Sequence, residues 1–187
     1  MKLVKIYYNY VNDPVRALQG LFQNRVFKGA LWGYATATAG WVVFFNIGDG
    51  LSVPVFLLKL CILFVTELTA GFVLASFCSL FLDFSNIKNS AAELFILIGT
   101  AGFIKGLLIA FALISAAIPS AKLGYLAPLV LLLVFGLQLG YLTRNVTRIY
   151  GASTGKALTA WIVATVPLGV VFSLLGIFFI WGMMLLF

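Results

Sequence analysis

The sequence contains no histidine, and it has only five acidic side chains. Without histidine the commonest metal ligand and physiological general base is missing. Haem, His-ligated zinc and Ser–His catalysis are thereby disfavoured. The acids that remain, Asp13, Asp49, Glu67, Asp83 and Glu93, are scattered, and their spacing offers no metal or acid–base pair. The two cysteines, Cys61 and Cys78, fall within one apolar run. They read as small buried hydrophobes rather than as a disulfide or a metal pair. The expectation is a chain with no catalytic, cofactor-binding or metal site, hence not an enzyme.

Charge of either sign is also scarce, at 9% of residues, against about 25% in soluble domains. So few charges cannot cover a water-facing surface, while 63% of the chain is hydrophobic. Lipid is the solvent that fits. The net charge of +7 comes from basic residues between apolar runs and near the N-terminus. They read as topology signals and lipid contacts rather than as a nucleic-acid surface.

What is present is a series of long apolar stretches. Five candidate spans lie at about 26–47, 54–82, 91–118, 126–143 and 157–184. Each exceeds or approaches the ~20 residues that cross a bilayer core. The breaks "GDGLS", "DFSNIKNS", "PSAKLGY" and "RNVTRIYGASTGK" are short and polar. The expected fold is an all-α membrane protein: one domain, a bundle of five transmembrane helices over residues 26–187. A cytoplasmic arm, residues 1–25, precedes it. That arm opens "MKLVKIYYNYVNDP", which lacks the compact apolar core of a cleaved signal. Asp13 suits an N-cap and Pro14 a first helical turn. Val15, Leu18 and Phe22 then share one face, which predicts an amphipathic helix on the membrane interface. Trp32 and Trp41 lie toward the two ends of the first span, where interfacial aromatics occur.

Five crossings put the termini on opposite sides. Sorted by side, Lys2, Lys5, Arg16, Arg25, Lys28, Lys88, Arg144, Arg148 and Lys156 fall together, opposite Lys122 alone. Basic loops stay inside, so the N-terminus is expected in the cytoplasm and the C-terminus outside. Arg16, Arg25, Lys28, Arg144, Arg148 and Lys156 are the expected contacts to anionic phospholipid headgroups.

Glu67 and Lys105 need a reason to be where they are. Counting inward from Pro54, Glu67 lies about 20 Å deep at 1.5 Å per residue. Counting outward from Ala91, Lys105 lies about 21 Å up. Each isolated charge near mid-bilayer costs roughly 2.5–3.5 kcal/mol, and pairing offsets much of that. An intramembrane charge pair is expected, either as a structural lock or as an ion-coupling site. Protonated Glu67 with a snorkelling Lys105 is the alternative. Lys59, near the outer boundary, reads as a headgroup anchor.

The spacings Gly29/Gly33, Gly102/Gly106 and Gly136/Gly140 permit close helix approach and read as internal packing. Gln138 is expected to hydrogen-bond inward. "GASTGKAL" is not a phosphate loop, because three residues separate Gly151 from Gly155 and Ala157 stands where Mg²⁺ binding needs Ser or Thr. Ser153 or Thr154 is the expected cap of the fifth helix. "NVT" at 145–147 matches a glycosylation acceptor but sorts to the cytoplasmic side.

Taken together, "NDPVRAL", the two-pass block ending near Leu82, "GTAGFIKGLLIAFALISAAIP" and "IYGASTGKALTAWIVATVP" resemble the Yip1 family of five-span membrane proteins. The resemblance covers nearly the whole chain and is one of pattern. It implies a cytoplasmic N-terminus and an extracytoplasmic C-terminus. Eukaryotic members act in Golgi and endoplasmic-reticulum traffic with Rab-type small GTPases. The arm here is short and lacks their Asp-Leu-Tyr-Gly-Pro stretch, so the bacterial or archaeal branch is the better fit. The expected function is a non-enzymatic scaffold or accessory protein of the cytoplasmic membrane, in membrane organisation or trafficking. Its expected partners are the bilayer and other membrane proteins or further copies of itself. The rival is a small transporter or channel subunit working through Glu67 and Lys105. Lipid handling is a third reading, prompted by the basic cytoplasmic rim.

Overall fold

The computed structural model describes residues 27–46, 52–118 and 123–186. Among these the chain is helical apart from short connections, and it holds no strand. Helix α1 is Phe27–Phe45, α2 is Val53–Phe84 and α3 is Ala91–Ala101. A 3₁₀ turn, Gly102–Lys105, leads directly into α4, Gly106–Ala117. A second 3₁₀ turn, Leu123–Leu126, opens α5, Ala127–Tyr150, and α6 is Thr154–Leu186. Among the described residues, three stretches are long and apolar enough to cross a membrane: Val53–Phe84, Ala91–Ala117 and Leu123–Tyr150. The arm, with the expected amphipathic helix and Arg16 and Arg25, lies outside the described residues.

The elements start and stop for local reasons. Pro54 sits in the first turn of α2, where its missing N–H costs nothing. Helix α2 ends on Asn86 at φ 57°, and the Ile87 amide donates back to the Leu82 carbonyl over 3.0 Å. Asparagine tolerates that left-handed backbone better than most side chains. Helix α5 continues through Arg144 and Arg148 and stops at Gly151, φ 66°. The basic stretch expected to be a loop is therefore largely the last two turns of a helix. Nothing between Arg144 and Tyr150 breaks helical winding, whereas Gly151 takes the reversing conformation freely. Ser153 precedes α6, and its hydroxyl accepts from the Lys156 amide over 3.4 Å.

Packing directions alternate. Tyr34 on α1 meets Gly71 on α2, and Asn46 at the end of α1 meets Lys59, so α1 and α2 are antiparallel. Gly33 and Gly40 meet Gly99 and Lys105 in the same order, so α1 runs parallel to α3–α4. A buried core of Ala30, Tyr34, Cys78, Leu94, Leu97, Val146, Ala157 and Trp161 fills one end of the bundle. Phe44, Leu108 and Val134 form a smaller core toward the other end. The Ala91–Ala117 segment is the inner one; α2 and α5 present most of their length outward. Lys28, Lys88, Arg144, Arg148 and Lys156 thus share one end. There Tyr150 donates to Glu93 Oε2 over 3.1 Å, tying the end of α5 to the start of α3.

The tightest contact is between α1 and the broken helix. A Cβ on Gly33 would collide with the Gly99 carbonyl. One on Gly102 would come within 2.5 Å of the Gly33 carbonyl oxygen, and one on Gly40 within 2.5 Å of the Lys105 carbonyl oxygen. Gly106 is looser, with the Thr36 methyl 3.2 Å from such a Cβ. Of the spacings expected to pack internally, Gly33, Gly102 and Gly106 do, while a Cβ on Gly136 or Gly140 would meet nothing within 4 Å. Cys78 is buried as expected, but Cys61 faces outward. Its position on α2 is on the side away from the inner segment, a phase that composition cannot reveal.

Gly33→Ala and Gly102→Ala should each destabilise by roughly 1–3 kcal/mol through overpacking. In thermal unfolding of detergent-solubilised protein this appears as a lowered Tm. Gly136→Ala should leave Tm unchanged or raise it, because alanine favours the helix and meets no obstacle.

Candidate functional site

Between the two cores lies a polar level. It is reached along α1 at Trp41, along α2 at Glu67, along the broken helix at Lys105 and along α5 at Gln138. Lys105 Nζ donates to Glu67 Oε1 over 2.7 Å, with side-chain exposures of 9% and 17%. Trp41 Nε1 donates to the same oxygen over 2.6 Å. The ammonium also stands 5.2 Å from the Trp41 ring centroid, inside the range where a cation gains from an aromatic face. One carboxylate oxygen therefore holds two donors, and one indole serves both charges.

Each member is placed by its neighbours. Trp41 stacks on Phe45 with centroids 5.4 Å apart and also meets Phe135. Lys105 ends the 3₁₀ turn, where its carbonyl abuts Gly40. Tyr34 donates to the Phe95 carbonyl over 3.1 Å, and its ring fills the space left by Gly71. Lys59 donates to Asn46 Oδ1 over 2.5 Å. It is tied to the end of α1 rather than free as a headgroup anchor.

Beside the ion pair lies a cavity of about 520 Å³ lined by Tyr34, Trp41, Glu67, Lys105, Gln138 and Trp161 among leucines and glycines. Its wall is mainly apolar. Trp161 is 2% exposed, and its Nε1 has no hydrogen-bond partner among the described residues. The cavity therefore offers an internally neutralised charge pair and a spare indole donor to a mainly apolar guest that carries an acceptor. Among the described residues no group of three His, Cys, Asp or Glu side chains is placed to hold a metal.

The remaining expected site residues lie elsewhere. Lys28, Arg144, Arg148 and Lys156 are exposed at the basic end of the bundle, and Arg16 and Arg25 are outside the described residues. Trp41, Tyr34 and Trp161 are the site members that sequence reasoning did not select. Trp41 had a usable signal. It lies 14 residues beyond Phe27, about 21 Å along a helix, the same depth as the two charges. Tyr34 and Trp161 carry no such signal, since only packing turns them inward.

The electrostatics give a stability test. Removing one partner of a buried pair leaves an uncompensated charge and costs about 3–5 kcal/mol. Lys105→Met should therefore lower Tm sharply, and Glu67→Leu/Lys105→Met should recover much of the loss. Glu67→Gln should be milder than Glu67→Leu, because its amide oxygen still accepts from Trp41. Differential scanning fluorimetry on the four variants measures this.

Compared with known proteins, the chain matches no family model, no curated protein and no solved structure.

Proposed function

We propose that this is a five-span integral membrane protein of Yip1 type, a non-enzymatic scaffold or accessory subunit in the cytoplasmic membrane of a bacterium or archaeon. In this reading α1 and α6 supply the first and fifth crossings, and the amphipathic arm lies on the cytoplasmic leaflet. The observation that carries it is the apolar exterior of α2 and α5. Leu57, Leu58, Ile62, Val65 and Phe72 on one, and Leu129, Leu132, Leu133 and Phe135 on the other, are exposed. A surface of this kind is far more apolar than water-facing monomers carry, and lipid or a membrane partner would cover it. The grouping of Lys28, Lys88, Arg144, Arg148 and Lys156 at one end supports a cytoplasmic assignment for that end.

A second reading, a small transporter or channel subunit, is favoured by one observation. The Glu67–Lys105 pair borders a cavity and sits at a 3₁₀ break in the inner helix. Mid-helix 3₁₀ turns accompany hinges, and broken helices line transport sites.

Topology tests the first reading. With Cys61 and Cys78 replaced by alanine, Lys88→Cys and Ser153→Cys should label only from the cytoplasmic side. Asp49→Cys and Ser120→Cys should label only from outside. Labelling of residues 1 and 187 from the same side would sink the five-span proposal. For the second reading, proteoliposome ion flux should fall in Glu67→Gln; background flux in both wild type and variant removes it.

A further inference from the structure

Away from the charge pair, a second groove of about 520 Å³ runs between α5 and the start of α6. Its two ends differ in chemistry. Gly136, Leu139, Gly140 and Leu158 line one part; Thr143, Arg144, Thr147 and Arg148 line the other, with Thr154 at the beginning of α6. A Cβ on either glycine would meet nothing within 4 Å outside its own helix backbone. Here the small residues open a channel instead of seating a neighbouring helix. From Gly136 to Arg148 the helix rises about 18 Å, longer than any phosphate alone would occupy.

The polar part carries donors without acceptors. Thr36, Thr38, Thr66, Thr69, Thr100 and Thr165 each donate to a carbonyl of their own preceding turn. Thr143 and Thr147 do not: their Oγ1 atoms are buried with no hydrogen-bond partner among the described residues. Thr143 is only 7% exposed and lines the groove, and its hydroxyl bears a desolvation cost that nothing among the described residues offsets. No carboxylate pairs with Arg144 or Arg148 among the described residues. Guanidinium forks, hydroxyl donors and the amides at a helix N-terminus are all chemistries that hold phosphate.

We propose that this groove is a binding site for one anionic glycerophospholipid. Arg144, Arg148, Thr143 and Thr147 hold its phosphate, and an acyl chain lies along Gly136 and Gly140. The inference rests on the membrane reading above. It goes beyond general headgroup attraction in requiring a built site with buried donors and a chain-shaped extension. Free phosphate shares the headgroup chemistry but leaves the apolar part empty.

Native mass spectrometry of the detergent-purified full chain tests it, with phosphatidylglycerol, phosphatidylcholine or inorganic phosphate added in separate arms. One retained phosphatidylglycerol is expected, unaffected by millimolar inorganic phosphate and preferred severalfold over phosphatidylcholine. Arg144→Gln/Arg148→Gln should reduce retention about tenfold or more, and the near-isosteric Thr143→Val/Thr147→Val about fivefold. Gly140→Leu, which fills the channel, should remove the lipid while leaving the guanidinium groups in place. No retained lipid in wild type, equal retention by the arginine variant, or displacement by inorganic phosphate overturns the proposal. Unchanged retention in Gly140→Leu does so too. Cysteine labelling of the same preparations reads topology separately, so failure of the membrane reading is distinguished from failure of the site.

Discussion

A lysine ammonium held among apolar helices must find its counter-charge inside the same bundle, because neither lipid tails nor leucine side chains can solvate it. Lys105 finds it in Glu67, 2.7 Å away on α2. That contact joins residues 38 apart in the chain, on consecutive elements, and fixes the relative height of the two helices, since a slip of one turn in either would separate the charges. Trp41 closes the arrangement from α1, donating to the same carboxylate oxygen and offering its ring to the ammonium. Three elements are thereby set at a single level.

Backbone proximity makes this possible. Trp41 comes beside Lys105 because α1 lies almost against the broken helix, an approach that exists only because Gly33, Gly40, Gly99 and Gly102 present no side chain there. Close packing of small residues is a principal means of helix association where lipid removes much of the hydrophobic drive. The absence of side chains at one place and the presence of charge at another are thus parts of one design. The cavity lies beside the pair at the same level, lined by Tyr34, Trp41 and Trp161 among leucines and glycines.

The basic end of the bundle works on other terms. Its arginines emerge from the last turns of α5 rather than from a loop, so the helix holds them in register with Thr143 and Thr147. Gly136 and Gly140 show how one spacing has two meanings. In the inner helix, small residues admit a neighbour; on α5 they leave a channel. The pattern GxxxG states that space is available and not what occupies it.

Much was legible locally. Long apolar runs punctuated by polar breaks fix helices, since hydropathy and winding depend on near neighbours in the chain, and the elements lie close to where the runs do. Simple helical rise placed Glu67 and Lys105 at similar depth, and extended to α1 it would have found Trp41. Facing is another matter. That Cys61 points outward, that Trp41 turns inward rather than to an interface, that Trp161 lines a cavity with an unused N–H, and that a 3₁₀ turn interrupts the inner helix were decided by tertiary structure. The reason is physical: a uniformly apolar helix carries almost no record of which side is inner, because lipid and protein interior reward the same side chains. The sequence by itself determined that this chain is helical and apolar; which faces meet, and where polar groups are left without partners, came only from the packing.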